Sequence, residues 1–218
     1  MKIVSWNVGS FIWTQYLPGR QHYSFQRDNL SEVVDRLKNE NADIIFLQEI
    51  LEEDIQSMFD EFPEFEYKKQ IQTGDRLSLS LFLSRYPITD IEHTSSHDYM
   101  INGLTFFPVH LNAFSPRKRL LQTMDIFADL PGQKGIILGD ANFWMHKKFF
   151  LSRLDRISYK KILEKHTDEL YDLSFTCRIF LCLDKIFTTF DVKVKNQKIV
   201  KHKIKHMDHY MISLDLDL

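Results

Sequence analysis

Short apolar runs that break off on a polar side chain recur along this chain and set its plan. Residues 2–8 read as a buried strand that carries Asn7 at its C-terminal end. Ile44-Ile45-Phe46-Leu47 predicts a second, finishing on Gln48 and Glu49, and residues 104–109 a third that stops at His110. Gly135-Ile136-Ile137-Leu138-Gly139 predicts a strand covered on both faces, running into Asp140 and Asn142. Asp184 opens a further strand over 183–188, and Asp208-His209 precedes the closing strand over 210–216.

Helical spacing fills the intervals. Leu30, Val33, Val34 and Leu37 predict an amphipathic helix over 25–39. A short helix is expected over 51–62, and another over 115–129 with Leu120, Leu121, Met124 and Phe127 on its buried face. Segments 65–71 and 77–83 predict strands joined by a turn at 73–75; Leu77, Leu79, Leu81 and Leu83 alternate with Ser78, Ser80, Phe82 and Ser84, read as the pattern of a half-buried strand. Residues 85–88 turn the chain into a polar stretch without a predicted element. Residues 143–166 read as two short helical patterns, and 192–205 as a basic hairpin turning near Asn196 and Gln197. Residues 9–24 read as a loop rich in aromatics, Trp13, Tyr16 and Tyr23 among them.

Composition narrows the class. With 218 residues, 44% hydrophobic and 27% charged, and only 7 Gly and 6 Pro, the chain is expected to form one globular domain over 1–218 with a full core. Cys177 and Cys182 have no partners at metal-binding spacing and read as free buried thiols. No apolar run approaches the roughly 18 residues of a membrane span, and the N-terminus enters a strand directly, so a cytoplasmic protein is expected. The net charge of −2 excludes a globally polybasic binder of nucleic acid or membrane. His22, His93, His97, His146, His166, His202 and His206 fall in no motif and are expected at the surface; Trp6 is expected in the core.

The chemistry lies in the polar strand ends. Asp140 and Asn142 stand two apart on an extended chain, so their side chains can converge. In layered α/β proteins such strand ends gather on one side, where ligands bind. Carboxylates with an amide oxygen form a hard cage suited to Mg²⁺ or Mn²⁺, whereas zinc favours more His or Cys. Histidines beside it can orient water or protonate a leaving group, and Asp184 could fix a tautomer. Each residue alone reads equally well as a turn or a cap.

Seven motifs in order carry more weight. Ser5-Trp6-Asn7-Val8, Phe46-Leu47-Gln48-Glu49, Leu83-Ser84-Arg85-Tyr86-Pro87-Ile88, Val109-His110-Leu111, Gly139-Asp140-Ala141-Asn142, Leu183-Asp184-Lys185-Ile186-Phe187 and Asp208-His209-Tyr210 resemble the endonuclease/exonuclease/phosphatase superfamily, with its DNase I-like fold, over residues 2–216. Met207 stands where many members have Ser, and Ala141 where many have Phe.

The resemblance implies an α/β (α+β) fold, a four-layer αββα sandwich of two packed mixed sheets flanked by helices. It further implies a metal-dependent phosphoesterase that uses water in one in-line attack. Glu49, Asn7 and Asp208 would ligate Mg²⁺, Asp140 would orient or deprotonate water, and Asp184 would brace His209 against the phosphoryl group. His110, Asn112 and Asn142 would contact substrate. Nucleic acid is the favoured substrate on the basic residues Lys193, Lys195, Lys198, Lys201, Lys203 and Lys205, with Arg117, Lys118 and Arg119. A sphingomyelinase-like phospholipase or phosphoinositide phosphatase is the alternative, and an inactive binding module another. A monomer is expected.

Overall fold

A computed structural model describes residues 1–9, 25–72, 79–91, 98–128, 134–143, 145–146, 149–150, 152–163, 168–169, 176–177, 183–204 and 207–218. Two six-stranded sheets form the centre. The first contains β1 (Lys2–Asn7), β2 (Ile44–Ile50), β3 (Tyr67–Ile71) and β4 (Leu79–Ser84), with β13 (Lys193–Val200) and β14 (Met211–Asp217), in the order β13-β14-β1-β2-β4-β3. The second contains β5 (Ile88–Ile91), β6 (Asp98–Ile101), β7 (Leu104–His110), β8 (Gly135–Asp140), β11 (Asp168–Glu169) and β12 (Asp184–Thr188), in the order β11-β12-β8-β7-β6-β5. Each is mixed: β1 pairs parallel with β2, and β7 with β8, while the other pairings are antiparallel.

Strand alternation builds the layers. Odd and even positions point to opposite faces, so Ile3, Ile44, Phe46 and Phe82 of the first sheet meet Ile101, Phe106, Ile136, Leu138 and Ile186 of the second. Phe82 lies 5.8 Å from Phe106 and 5.6 Å from Tyr99, ring to ring, which ties the two sheets together. On the outer face of the first sheet, Val4, Trp6, Ile45, Leu47, Leu81 and Leu83 pack against helix α1 (Phe25–Glu40) and, after a 3-10 turn, α2 (Ile55–Asp60). On the outer face of the second, Phe107, Val109, Ile137 and Phe187 lie under α3 (Pro116–Ala128) and α4 (Arg153–Leu163). This is the expected four-layer sandwich.

Several local expectations are corrected. Strand β4 is buried on both faces, because it sits inside its sheet between β2 and β3. The polar stretch from residue 88 supplies β5 and β6, an antiparallel pair at the sheet edge, β5 largely exposed and β6 mostly buried but only four residues long. Residues 193–200 form one edge strand along β14, and a bulge between Val194 and Asn196 absorbs the supposed turn. The segment after 143 gives a small ribbon, β9 (Met145–His146) with β10 (Phe149–Phe150), and a single helix, α4. Helix α3 is rotated from its expected seat: Arg119 and Thr123 are buried and Ile126 packs inward, while Leu121 and Met124 are about half exposed. The bidentate Arg119–Asp155 pair, 2.8 and 2.7 Å, draws that face onto α4, so Arg119 is not a surface cation. The loop aromatics at 10–24, the turn at 73–75, Trp144, Cys182 and the expected surface histidines His22, His93, His97, His166 and His206 lie outside the described residues.

Candidate active site

The inner-face rows of both sheets turn polar at one end. Asn7 continues the row of Ile3 and Ser5, Asp140 that of Ile136 and Leu138, His110 that of Phe106, and Asp184 faces inward beyond Ile186. Strand register then sets them side by side: Asp140 lies directly between His110 on β7 and Asp184 on β12. The same alternation that buries the apolar residues thus delivers these polar ones to one cleft between the sheets.

Glu49 reaches the cleft by a different route. Simple alternation would send it outward with Ile45 and Leu47. A bulge between Leu47 and Ile50, with Glu49 in the left-handed region at φ 60°, turns its carboxylate toward Asn7 and His110. Gly9 leaves the space it needs: a Cβ there would overlap Glu49 Cβ and Oε2. Asn142 also takes a left-handed φ of 49°, a conformation that Asn tolerates.

The distances define a compact network. Asn7 Nδ2 donates to Glu49 Oε1 and Asp140 Oδ2, both at 3.0 Å, and its Oδ1 accepts from Gly9 N–H at 3.1 Å. Asp140 Oδ1 accepts from Asn142 N–H at 2.8 Å, which leaves Oδ2 facing His209 Nε2 at 3.7 Å and His110 Nε2 at 4.0 Å. His209 Nδ1 donates to Asp184 Oδ2 at 2.9 Å. His110 Nε2 lies 3.4 Å from Glu49 Oε1, and His209 Nε2 lies 3.8 Å from Asp208 Oδ2. Asn142 Nδ2 donates to Leu111 O. Asn112 is half-buried at the rim, where its Oδ1 accepts from Phe114 and Ser115 N–H in the turn that leads into α3. All nine residues expected at a site, Asn112 included, therefore gather at this end.

Electrostatics follow from crowding. Burial, with Asp184 and Glu49 nearby, outweighs the two histidines and raises the Asp140 carboxyl to about 6. Burial also raises Asp208. For Glu49 burial works upward, but His110 and Asn7 more than offset it and hold the group below its ordinary value. Burial opposes charge on both histidines, yet Glu49 raises His110, and Asp184, Asp140 and Asp208 hold His209 well above the ordinary imidazole range.

The donor set fits a hard divalent cation. Ligand atoms of Glu49, His110 and Asp140 lie within 4.8 Å of one another, and so do those of Asp140, Asp184 and His209. Oxygen donors outnumber nitrogen, and Asp184 Oδ1 is buried without a hydrogen-bond partner among the described residues. Such a cleft can hold a metal, orient water and donate protons to a phosphoryl group.

Three residues near the site were not read as functional. Trp6, expected only in the core, donates from Nε1 to His209 O at 3.1 Å. Thr176 accepts through Oγ1 from Leu183 and Asp184 N–H. His202, expected at the surface, is buried, and its signal was the alternation of Val200, His202 and Ile204 with exposed Lys201 and Lys203. For Thr176 the sequence offers no such pattern.

Comparison with known proteins adds to the geometry. No curated protein matches the sequence. Among solved structures, a variant of the 3′ phosphatase NExo from Neisseria bound to product DNA hairpin is 15% identical, with a TM-score of 0.73 and all of both chains covered. An endonuclease/exonuclease/phosphatase from Beutenbergia cavernae gives 0.76 at 13% identity, over 100% of this chain and 71% of that one. TDP2 from D. rerio, complexed with single strand DNA product, gives 0.70 at 14%, over 100% and 99%. These similarities establish the fold. The profile of the Endonuclease/Exonuclease/phosphatase family matches residues 4–195, most of the chain and every strand that supplies the cleft, with Asp208 and His209 beyond it, and by that match the protein belongs to this family of metal-dependent phosphoric ester hydrolases.

Proposed function

We propose that the protein is a Mg²⁺-dependent phosphodiesterase that cleaves nucleic acid by in-line attack of water. The observation that carries this is the position of Asp140, wedged between His110 and Asp184 and facing His209, with Asn7 and Asn142 fixing its two oxygens. Glu49, Asn7 and Asp208 would hold the cation; Mn²⁺ could replace Mg²⁺. A bound divalent cation supplies Lewis-acid stabilisation of the charge that builds on the phosphoryl oxygens.

The remaining work falls to the chain. With its carboxyl raised to about 6, Asp140 is mostly ionised at neutral pH yet basic enough to take a proton from water. Asn142 N–H holds Oδ1, so Oδ2 is the oxygen that faces the reacting group. His209, kept protonated chiefly by Asp184, donates from Nε2 toward the phosphoryl or leaving oxygen. His110 adds a second donor, and Asn112 and Asn142 line the substrate.

For nucleic acid the supporting features are local. Lys195 pairs with Asp217 and Lys198 with Glu40, but Lys201 and Lys203 are exposed where β13 leads back toward the site, and Arg117 and Lys118 are exposed just beyond Asn112. NExo and TDP2 were captured with DNA products. A second reading, cleavage of a phospholipid headgroup, is favoured by half-exposed Phe114, Leu121 and Met124 beside those cations. Among the described residues no helix is long and apolar enough to cross a membrane.

The test is hydrolysis with and without Mg²⁺ of plasmid DNA, a single-stranded oligonucleotide, sphingomyelin and a soluble inositol phosphate, with His209→Ala as control. Metal- and His209-dependent cleavage of either DNA supports the proposal. Cleavage of sphingomyelin alone selects the second reading. Inertness toward all four, with no effect of Mg²⁺ on melting, leaves an inactive binding module.

A further inference from the structure

One buried histidine takes no part in this scheme. His202 lies just past the end of β13 and is 6% exposed, with Lys201 and Lys203 exposed on either side. Its Nδ1 accepts from Ile204 N–H at 3.3 Å. A ring nitrogen that accepts a backbone N–H carries no proton, so the proton of the neutral ring sits on Nε2. Nε2 lies 2.6 Å from the main-chain oxygen of His209 and donates to it. Trp6 Nε1 donates to the same oxygen, which takes up both of its lone pairs. The ring is fixed by packing, with centroids 5.2 Å from Trp6 and 5.7 Å from Tyr210.

The need for such a hold is visible in the backbone. His209 precedes β14 and, among the described residues, makes only an isolated bridge to Cys177, so no regular ladder there sets its position. On the far side Tyr210 N–H donates to Thr176 O at 2.7 Å, while Thr176 Oγ1 accepts from Asp184 N–H at 3.0 Å. Thr176 therefore ties the main chains around both members of the Asp184–His209 pair, and His202 with Trp6 holds the His209 carbonyl.

We propose that His202 is a positioning residue: its Nε2–H, together with the Trp6 indole, clamps the His209 main chain so that the imidazole meets Asp184 through Nδ1 and presents Nε2 to the cleft. The proposal rests on His209 acting in turnover, and a small displacement of such a group is costly in rate.

The test compares His202→Leu, His202→Gln and Trp6→Phe with the wild type, using bis(4-nitrophenyl) phosphate and Mg²⁺, melting temperature, and the downfield Nδ1 proton resonance of His209. His202→Leu should lower kcat about 10- to 100-fold with KM changed less than about twofold, while His202→Gln, whose amide N–H can reach the same oxygen, returns to within about fivefold of wild type. Trp6→Phe should fall between them. The resonance should persist in His202→Gln and broaden or move upfield in His202→Leu, a result that needs no turnover. If the wild type leaves the diester intact but the resonances behave this way, the functional reading fails and the positioning role stands. Unchanged kcat and resonance in His202→Leu would overturn the proposal, as would equal losses of kcat in the Leu and Gln variants that simply track their melting temperatures.

Discussion

The two ends of the sandwich treat buried carboxylates in opposite ways. At the end where β1 begins, Glu40 is buried and fully matched: Lys198 Nζ lies at 2.8 Å, Lys2 Nζ at 3.2 Å, and Ser213 Oγ donates at 2.8 Å. Burial works against its ionisation, but these partners prevail and hold its carboxyl below the ordinary value. At the other end Glu49, Asp140, Asp184 and Asp208 crowd together with only His110 and His209 as cationic neighbours among the described residues. Two of those four carboxyls are raised. The first arrangement is complete by itself. Among the described residues the second sets four carboxylates beside two imidazoles, a balance that suits a site for a cation.

The sharpest way to break this contrast is at Asp140. Asp140→Asn keeps the shape but removes the base, and its amide can accept from only one of the two donors, Asn7 Nδ2 and Asn142 N–H, that the carboxylate serves; kcat should fall by about 10³-fold or more. Stability should change far less, because relief of the buried charge offsets the lost hydrogen bond. A raised carboxyl pKa means that at neutral pH the folded state holds the carboxylate less well than the unfolded chain does, so a neutral Asn relieves the fold. Melting temperature and kcat measured on one preparation decide this, and a parallel loss of both would show Asp140 to be structural.

Metal addition is the next test. Mg²⁺ at about 100 times its Kd should stabilise the wild type by roughly 2.7 kcal/mol, or about 5–10 °C. Glu49→Gln should lose most of that gain, whereas Glu40→Gln should keep all of it. Gly9→Ala should act like a mild Glu49 variant, since its Cβ would displace the Glu49 side chain. About a tenfold weaker Mg²⁺ midpoint in thermal titration is expected, with a lower metal-free melting temperature as well, because Glu49 Cβ as well as its carboxylate stands in the way.

How much of this was legible in the chain depends on which interaction sets each feature. Strand alternation is local, so the inward rows ending on Asn7, His110, Asp140 and Asp184 could be read directly. Glu49 was legible only through its motif, because a bulge and a left-handed φ reverse the face that alternation assigns it. The seating of α3 was misread because a buried charge pair, Arg119–Asp155, overrides the apolar positions Leu121 and Met124. β5 was missed because an edge strand carries few apolar residues, and β6 because its four residues are too short a run to show a period. Thr176 contributes through contacts with Asp184 and Tyr210 that no spacing in the sequence encodes.

The smallest expected effect tests the matched end. Glu40→Gln removes the charge that Lys2 and Lys198 share and should cost about 1–3 kcal/mol at pH 7, with kcat unaltered. The sign of its pH dependence follows from the lowered carboxyl. A group whose folded pKa lies below its unfolded value, here 4.5, stabilises the protein above that value and loses the contribution as pH falls through the folded pKa. The stability gap between wild type and Glu40→Gln should therefore be whole at pH 7, begin to close below pH 4.5 and vanish in stronger acid. Denaturant titrations across that range would measure it. A gap that stayed constant would mean that Gln disrupts packing around Ser213 instead of removing a charge, and the contrast between the two ends would then rest on the catalytic side alone.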